Sequence, residues 1–167
     1  MTPDEIQMIQ ILDETIQYYS EDPIGRRAFH EPRPKQIQCV YQTPDGKKCA
    51  IGRLLAPSDL ENLKKKNILF QAIENVYEEI KTPIIQQFPI EFWEKLQAFH
   101  DGDIYWDLTK NTISKEGEKF TQRLRNQIQS GQFSTQKKCP LINQDPINQK
   151  PNLNQKKKEI NPNATQN

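Results

Sequence analysis

The sequence predicts a mainly α fold (α+β): a small helical domain with one β-hairpin packed on the helices, followed by a disordered polar C-terminal tail. Two observations predict the domain. Apolar residues recur at three- and four-residue spacing between helix caps, and one stretch with alternating apolar residues surrounds a Pro-Asp-Gly turn. A third observation predicts the tail, because Asn, Gln, Lys and Pro dominate after Gly131. We expect the domain at 1–131, its hairpin at 37–52 and the tail at 132–167.

The first helix begins with a complete capping signal. Thr2 can cap the helix, Pro3 suits the first helical position, and Glu5 completes a capping box. The residues that follow place one apolar stripe on a single helix face, and Asp22-Pro23 ends the helix. The stripe consists of Ile6, Ile9, Leu12, Ile16 and Tyr19.

The next segment predicts a loop and then the hairpin. Prolines at 32 and 34 exclude a regular helix, so we expect residues 20–38 to form a loop. Apolar and polar residues then largely alternate from Ile37 to Gln42, and Lys48–Ile51 is the expected return strand. The turn between them is Thr43-Pro44-Asp45-Gly46, whose glycine can take a positive φ.

Four helical stretches follow the hairpin. Pro57 opens a short helix, residues 68–80 carry a helical apolar pattern, and a third helix starts after Phe88-Pro89 and ends at Gly102. Residues 104–108 predict a short helical or turn segment. Ser114 caps the last helix, which Gly131 ends.

Charge and hydropathy exclude several classes of protein. Residues 1–130 carry a net charge of −3, which argues against a reader of duplex nucleic acid, whereas residues 131–167 carry +4. No stretch approaches the roughly 20 apolar residues that a membrane helix needs, and the acidic N-terminus is unlike a signal peptide. We therefore expect a cytoplasmic protein, without membrane or nucleic-acid partners, whose three cysteines are reduced.

Cys39 and Cys49 lie on the two expected strands of the hairpin and face each other across a short turn. Three interpretations stay open. Both are buried apolar residues of the core, which needs no cofactor; or they bind zinc together with His100 or His30; or one is a reactive thiol whose pKa a neighbouring Arg27 or His100 lowers.

The pair His100-Asp101 stands near the expected end of a helix. It can supply a general acid or base or a metal ligand, or it can be structural, with the imidazole bonding the last carbonyls of the helix. Only two histidines exist, so the phosphohydrolases that need several His and Asp ligands are excluded. The candidate catalytic residues are His100, Asp101 and Cys49.

A candidate ligand site consists of Arg27, Tyr41, Arg53 and Trp106. Guanidinium groups match phosphate and aromatic rings stack on bases, so these residues predict a pocket for a small phosphorylated ligand; the alternative is a solvated basic surface. The chain contains no glycine-rich phosphate loop and no serine-nucleophile motif.

The motif Cys39-x-Tyr41-x4-Gly46-x2-Cys49-Ala50-x-Gly52, followed later by Leu96-Gln97-x2-His100-Asp101, resembles a family of small proteins of bacterial, phage and prophage genomes. The resemblance covers about residues 1–128. It departs after Gly52, where such proteins often read Leu-Ile-Pro-Asp. The family has no settled activity, so the resemblance implies the fold and an accessory role.

Two functions from different classes follow from these residues. The first is a non-catalytic accessory protein that binds a partner protein or a small phosphorylated ligand. The second is a small metal-assisted or thiol-dependent hydrolase centred on Cys39, Cys49 and His100. We favour the binding protein, because few ionisable residues are available for catalysis.

Overall fold

The computed structural model describes residues 1–33 and 36–133. Six α-helices and two small two-stranded sheets form this part of the chain, which confirms the predicted mainly α class. None of the helices in the described ranges is long and apolar enough to cross a membrane. The helices are α1 (Pro3–Glu21), α2 (Pro57–Lys65), α3 (Ile73–Val76), α4 (Pro83–Gln87), α5 (Ile90–Asp101) and α6 (Lys115–Gln129).

Helix α1 begins as its capping signal predicts. The Thr2 hydroxyl accepts a hydrogen bond from the Glu5 backbone N–H (3.2 Å), and the Glu5 carboxylate accepts one from the Thr2 backbone N–H (2.7 Å). Both bonds satisfy backbone donors that the first turn of a helix leaves open. The buried face of the helix, which includes Met8, Leu12 and Tyr19, joins the main core.

The hairpin lies earlier in the chain than predicted. Strand β1 (Phe29–Arg33) pairs antiparallel with β2 (Gln36–Cys39), and Phe29 stands opposite Cys39. The prediction of a loop over residues 20–38 is therefore wrong for 29–33 and 36–38. Proline within β1 is compatible with a strand here, because each strand of a two-stranded sheet has a free edge that needs no N–H donor.

The predicted turn at 43–46 forms, but the return strand does not. One antiparallel bridge joins Gln42 to Lys48, and Gly46 takes a φ of +89°. After the bridge the chain forms a turn instead of a strand, in which the Arg53 N–H donates to the Cys49 carbonyl (3.0 Å). Gly52 is required in this turn, since a Cβ there would lie 1.9 Å from the Tyr41 carbonyl oxygen. The hairpin predicted at 37–52 is thus reduced to its turn.

The predicted helix over 68–80 is also much shorter. Only α3 and the 3-10 turn Tyr77–Glu79 are helical. Two backbone groups of the expected helix form tertiary hydrogen bonds instead of bonds within a helix. The Leu69 carbonyl accepts from the Tyr41 N–H (2.9 Å), and the Ile73 N–H donates to the Gln97 side chain (3.0 Å). Tertiary contacts therefore override the local helical pattern.

The last part of the domain follows the prediction more closely. Gly102 ends α5, and the 3-10 turn Asp103–Tyr105 leads into strand β3 (Trp106–Asp107), which pairs with β4 (Thr112–Ile113). Ser114 caps α6 by accepting a hydrogen bond from the Gly117 N–H (3.1 Å). Phe133 packs against Phe92 and is 4% exposed, so the domain extends beyond 131. The predicted tail from 134 onward lies outside the described residues.

A buried polar joint connects α2 to the segment before α4. Asp59, at 5% exposure, accepts hydrogen bonds on one oxygen from the backbone N–H groups of Lys81 (3.0 Å) and Thr82 (2.7 Å) and from the Thr82 hydroxyl (2.5 Å). The Thr82 hydroxyl accepts in turn from the Ala56 N–H (2.8 Å). We call Asp59 and Thr82 the Asp59 joint.

Candidate functional site

Four side chains that carry metal-binding or acid–base groups converge where β2 meets the end of α5. Cys39 is the last residue of β2, Cys49 lies in the coil after the turn, and His100 and Asp101 end α5. The Cys39 Sγ lies 3.8 Å from the His100 Nδ1, which lies 2.7 Å from the Asp101 Oδ1. We call these four residues the donor cluster.

The two thiols of the donor cluster lie close enough to influence each other, and both cysteines are free. The Cys49 Sγ accepts a hydrogen bond from the Gly52 backbone N–H (3.3 Å). Interaction with the Cys49 thiol and burial raise the pKa of the Cys39 thiol well above its usual range. Cys139, the third cysteine, lies outside the described residues.

His100 is fully buried, and its two nitrogens differ. Burial lowers the pKa of the imidazole, an effect that the neighbouring Asp101 carboxylate opposes. Nδ1 contacts Asp101, whereas Nε2 has no hydrogen-bond partner within the described residues. The buried Tyr41 hydroxyl is also without a partner there, and burial together with Cys49 and Cys39 raises its pKa. The region therefore contains two buried polar groups that the described residues leave unsatisfied.

This geometry does not support a thiol nucleophile. In a Cys–His–Asp relay, the thiol and the carboxylate must contact opposite nitrogens of the imidazole. Here Cys39 and Asp101 both lie against Nδ1 of His100. Cys39, His100 and Asp101 therefore do not form such a relay, and the catalytic roles of His100, Asp101 and Cys49 stay predictions.

Arg27 is buried beside the donor cluster, and each nitrogen of its guanidinium has a partner in the protein. It donates to the carbonyls of Pro23 (3.0 Å) and His100 (3.2 Å) and forms an ion pair with Asp103 (2.5 Å). The guanidinium also lies over the Phe29 ring, 4.4 Å from its centroid. Because its N–H groups bond to the Pro23 carbonyl and the His100 carbonyl, Arg27 links the segment after α1 to the end of α5.

A cleft of about 550 Å³ opens over this region. We call it the Arg27 cleft. Its polar lining consists of Arg27, Cys39, Asp101 and Asp103. Its apolar lining consists of Ile24, Phe29 and Leu108, of which Ile24 is 63% and Leu108 is 38% exposed. The Asp103 carboxylate is 76% exposed despite its ion pair, so a negative group faces solvent at the rim.

The structure does not bring the four predicted ligand-binding residues to one surface. Tyr41 and Trp106 are 1% and 4% exposed, and the Trp106 indole N–H donates to the Phe99 carbonyl (3.3 Å), so neither ring is open to a base from solvent. Arg53 lies over the Tyr18 ring, 3.9 Å from its centroid, in a separate hollow of about 250 Å³. His30, a predicted alternative metal ligand, lines a different hollow.

Sequence reasoning missed the residues that shape the cleft. Asp103 stands only two positions after the His100-Asp101 pair, which is a usable signal for a shared site. Ile24 and Leu108 gave no signal, because only the fold brings the end of α1 next to the segment after α5. Comparison with known protein families, with curated proteins and with solved structures finds no match for this chain.

Proposed function

We propose that this protein is a non-catalytic binding protein whose Arg27 cleft docks a segment of a partner protein. The segment presents an apolar side chain next to a basic one. The observation that carries this proposal is the pairing of exposed apolar residues with exposed acid at one cleft. Ile24 and Leu108 line it, and Asp103 stands 76% exposed beside them.

The charge of the cleft favours a basic occupant over a phosphorylated one. Its one guanidinium already donates to two carbonyls and to Asp103, so few of its N–H groups are left for a phosphate. Two carboxylates, Asp101 and Asp103, face that single cation. A lysine or arginine of a partner complements this excess of negative charge, and electrostatic complementarity of this kind gives orientation and rate of association.

The apolar lining supplies the other half of the recognition. Large exposed apolar side chains grouped at a concave surface mark interaction sites more often than scattered ones do. The exposed side chain of Ile104, at 67%, follows Asp103 directly and enlarges the apolar area in this segment. The resemblance to small phage and prophage proteins is consistent with an accessory role of this kind.

The test is selection of binders from a displayed library of random peptides against the full chain. We expect enriched peptides that carry a basic residue next to an apolar one. Ile24→Asp should weaken their binding about tenfold or more, because it places a charge at the apolar contact. Ile6→Asp is the matched control, since Ile6 is 51% exposed and does not line the cleft.

Two results would contradict the proposal. One is enrichment of acidic or phosphate-mimicking peptides. The other is equal binding to the wild type and to Ile24→Asp. Asp103→Asn then separates the electrostatic contribution from the apolar one. Removal of the carboxylate should weaken the binding of basic peptides and reduce the salt dependence of that binding. A nucleotide that stabilises the wild type would instead favour the phosphorylated ligand.

A further inference from the structure

The donor cluster has the composition of a transition-metal site. It combines two thiols, an imidazole and a carboxylate, which are the ligands that zinc takes in proteins. The donor atoms of Cys39, His100 and Asp101 all lie within 4.8 Å of one another, and the Cys49 thiol is close enough to Cys39 to act on its thiol. Three potential ligands are therefore grouped around one point, and a fourth, Cys49, stands beside Cys39.

The distances among Cys39, His100 and Asp101 suit three positions of a tetrahedral ion after a small adjustment, and Cys49 moves in to take the fourth. With bonds of about 2.3 Å to sulfur and about 2.0–2.1 Å to nitrogen and oxygen, two ligand atoms of a tetrahedral zinc lie about 3.3–3.8 Å apart. The Cys39 Sγ and His100 Nδ1 already lie 3.8 Å apart. The Asp101 Oδ1, 2.7 Å from Nδ1, has to withdraw by about half an ångström. Asp101 has room to move, because its side chain is 33% exposed.

The charges of the ionised donor cluster favour binding of a cation. Three of its four groups can lose a proton and become negative, namely the two thiols and the Asp101 carboxyl. Arg27 and Arg53 are close enough to influence His100, but the Arg27 guanidinium is neutralised by Asp103. A divalent ion bound directly by the sulfur atoms supplies the positive charge that ionisation of the thiols requires.

The surroundings already hold the ligands in place. The Gly52 N–H donates to the Cys49 sulfur, and hydrogen bonds of this type stabilise a thiolate on a metal. The Tyr41 hydroxyl, buried and without a partner in the described residues, interacts electrostatically with both cysteines and Asp101. Arg27 fixes the backbone of His100 through its carbonyl. The bonds from Gly52 and Arg27 orient two ligand residues in the manner of an outer shell of a metal site.

The cluster also has an entry path. Cys39 and Asp101 line the Arg27 cleft, while Cys49 and His100 lie beneath it at 2% and 0% exposure. An ion entering from the cleft therefore meets Asp101 and Cys39 first and reaches the two buried ligands last. This arrangement gives a site that is closed on the inner side and reachable from solvent on the outer side.

We infer that Cys39, Cys49, His100 and Asp101 bind one zinc ion. On binding, both thiols lose their protons to solvent and the two thiolate sulfurs bind the metal. The neutral imidazole moves its proton from Nδ1 to Nε2 and binds the metal through Nδ1, and Asp101 binds through one carboxylate oxygen. The protein thus takes up one divalent ion and releases two protons, so the assembled site carries a net charge of −1.

The experiment titrates cobalt(II) into the full chain after reduction and removal of metal with a chelator. Cobalt reports the ligand set directly, because tetrahedral coordination gives intense visible bands and thiolate ligands give a near-ultraviolet charge-transfer band. We expect both sets of bands to saturate at one cobalt per chain and to disappear when one equivalent of zinc is added. Native mass spectrometry should then show one zinc with the loss of two protons.

Matched variants locate the site. Cys49→Ala should remove the thiolate band or weaken metal affinity by more than about 100-fold, since loss of a ligand exceeds the 10–100-fold cost of losing an outer-shell partner. Asp101→Asn tests a ligand whose side chain is 33% exposed and whose change leaves the core intact, and it should also weaken affinity. Cys139→Ala and His30→Asn are the controls, and both should retain wild-type titrations.

Three results would overturn the inference. The first is the absence of thiolate bands in the folded wild type with reduced cysteines. The second is a thiolate band that persists in a folded Cys49→Ala protein and disappears in Cys139→Ala. The third is a Cys39–Cys49 disulfide in the freshly purified protein that, once reduced, leaves a folded chain without metal affinity, which would assign the pair to redox chemistry.

Discussion

The Asp59 joint and the donor cluster are both buried and polar, yet they differ in how completely their groups are satisfied. In the Asp59 joint, one carboxylate oxygen accepts three hydrogen bonds, and the Thr82 hydroxyl both donates and accepts. In the donor cluster, the Cys39 thiol and the Asp101 carboxylate share Nδ1 of His100, and Nε2 of His100 and the nearby Tyr41 hydroxyl have no partner in the described residues. The first is complete as a structural connection, whereas the second has the composition of a site that a ligand completes.

The largest expected effect concerns the Asp59 joint. Asp59→Ala leaves two backbone N–H groups and the Thr82 hydroxyl without their acceptor in a buried position. We expect a loss of about 3 kcal/mol in the free energy of unfolding, measured by urea denaturation. Glu61→Ala on the same helix is the control and should cost less than about 0.5 kcal/mol, because its pair with Lys65 is exposed. Equal losses would show that the joint contributes no more than a surface pair.

The second prediction adds zinc to the comparison. At a free zinc concentration of 100 times the dissociation constant, we expect the wild type to gain about 2.7 kcal/mol in stability. Asp59→Ala should show the same gain, and Cys49→Ala should show less than about 0.4 kcal/mol, because zinc acts on the donor cluster alone. Chemical denaturation with and without zinc measures all three proteins. A gain of equal size in Cys49→Ala would place the stabilising ion elsewhere.

The smallest expected effect distinguishes two buried tyrosines in the metal-free protein. The Tyr19 hydroxyl donates to the Lys48 carbonyl (2.7 Å), whereas the Tyr41 hydroxyl is unsatisfied in the described part of the chain. Tyr19→Phe should therefore cost about 1 kcal/mol, and Tyr41→Phe should be neutral or stabilise by up to about 1 kcal/mol. Urea denaturation of both variants checks this difference. A similar loss in Tyr41→Phe would mean that its hydroxyl has a partner.

The sequence predicts the helices that carry their own start signals. Thr2 and Ser114 cap α1 and α6 as expected, because a cap depends on residues three positions apart. Prediction from the sequence fails where tertiary hydrogen bonds determine the backbone conformation. The carbonyl of Leu69 and the N–H of Ile73 bond to distant residues instead of continuing a helix, and β1 forms because β2 offers it a partner.

The candidate site was predicted in part. The chemistry of their side chains identifies Cys39, Cys49, His100 and Asp101, and the fold groups Cys39, His100 and Asp101 with Cys49 beside Cys39. Tyr41 and Trp106 were selected as stacking surfaces, but aromatic rings of this size also fill the core, and both are buried. The sequence also predicts Arg27 as a ligand-binding residue, because no local pattern shows that its charge is neutralised by Asp103.

The long sequence separation within the donor cluster has a kinetic consequence. Cys39 and His100 are 61 residues apart, and the bond between Arg27 and His100 spans 73 residues. Closing such loops costs chain entropy before any contact is gained, so the complete site forms only when α5 docks onto the hairpin. An ion held by both sides must leave before they separate. Bound zinc should therefore mainly lower the rate of unfolding, with little effect on the rate of folding.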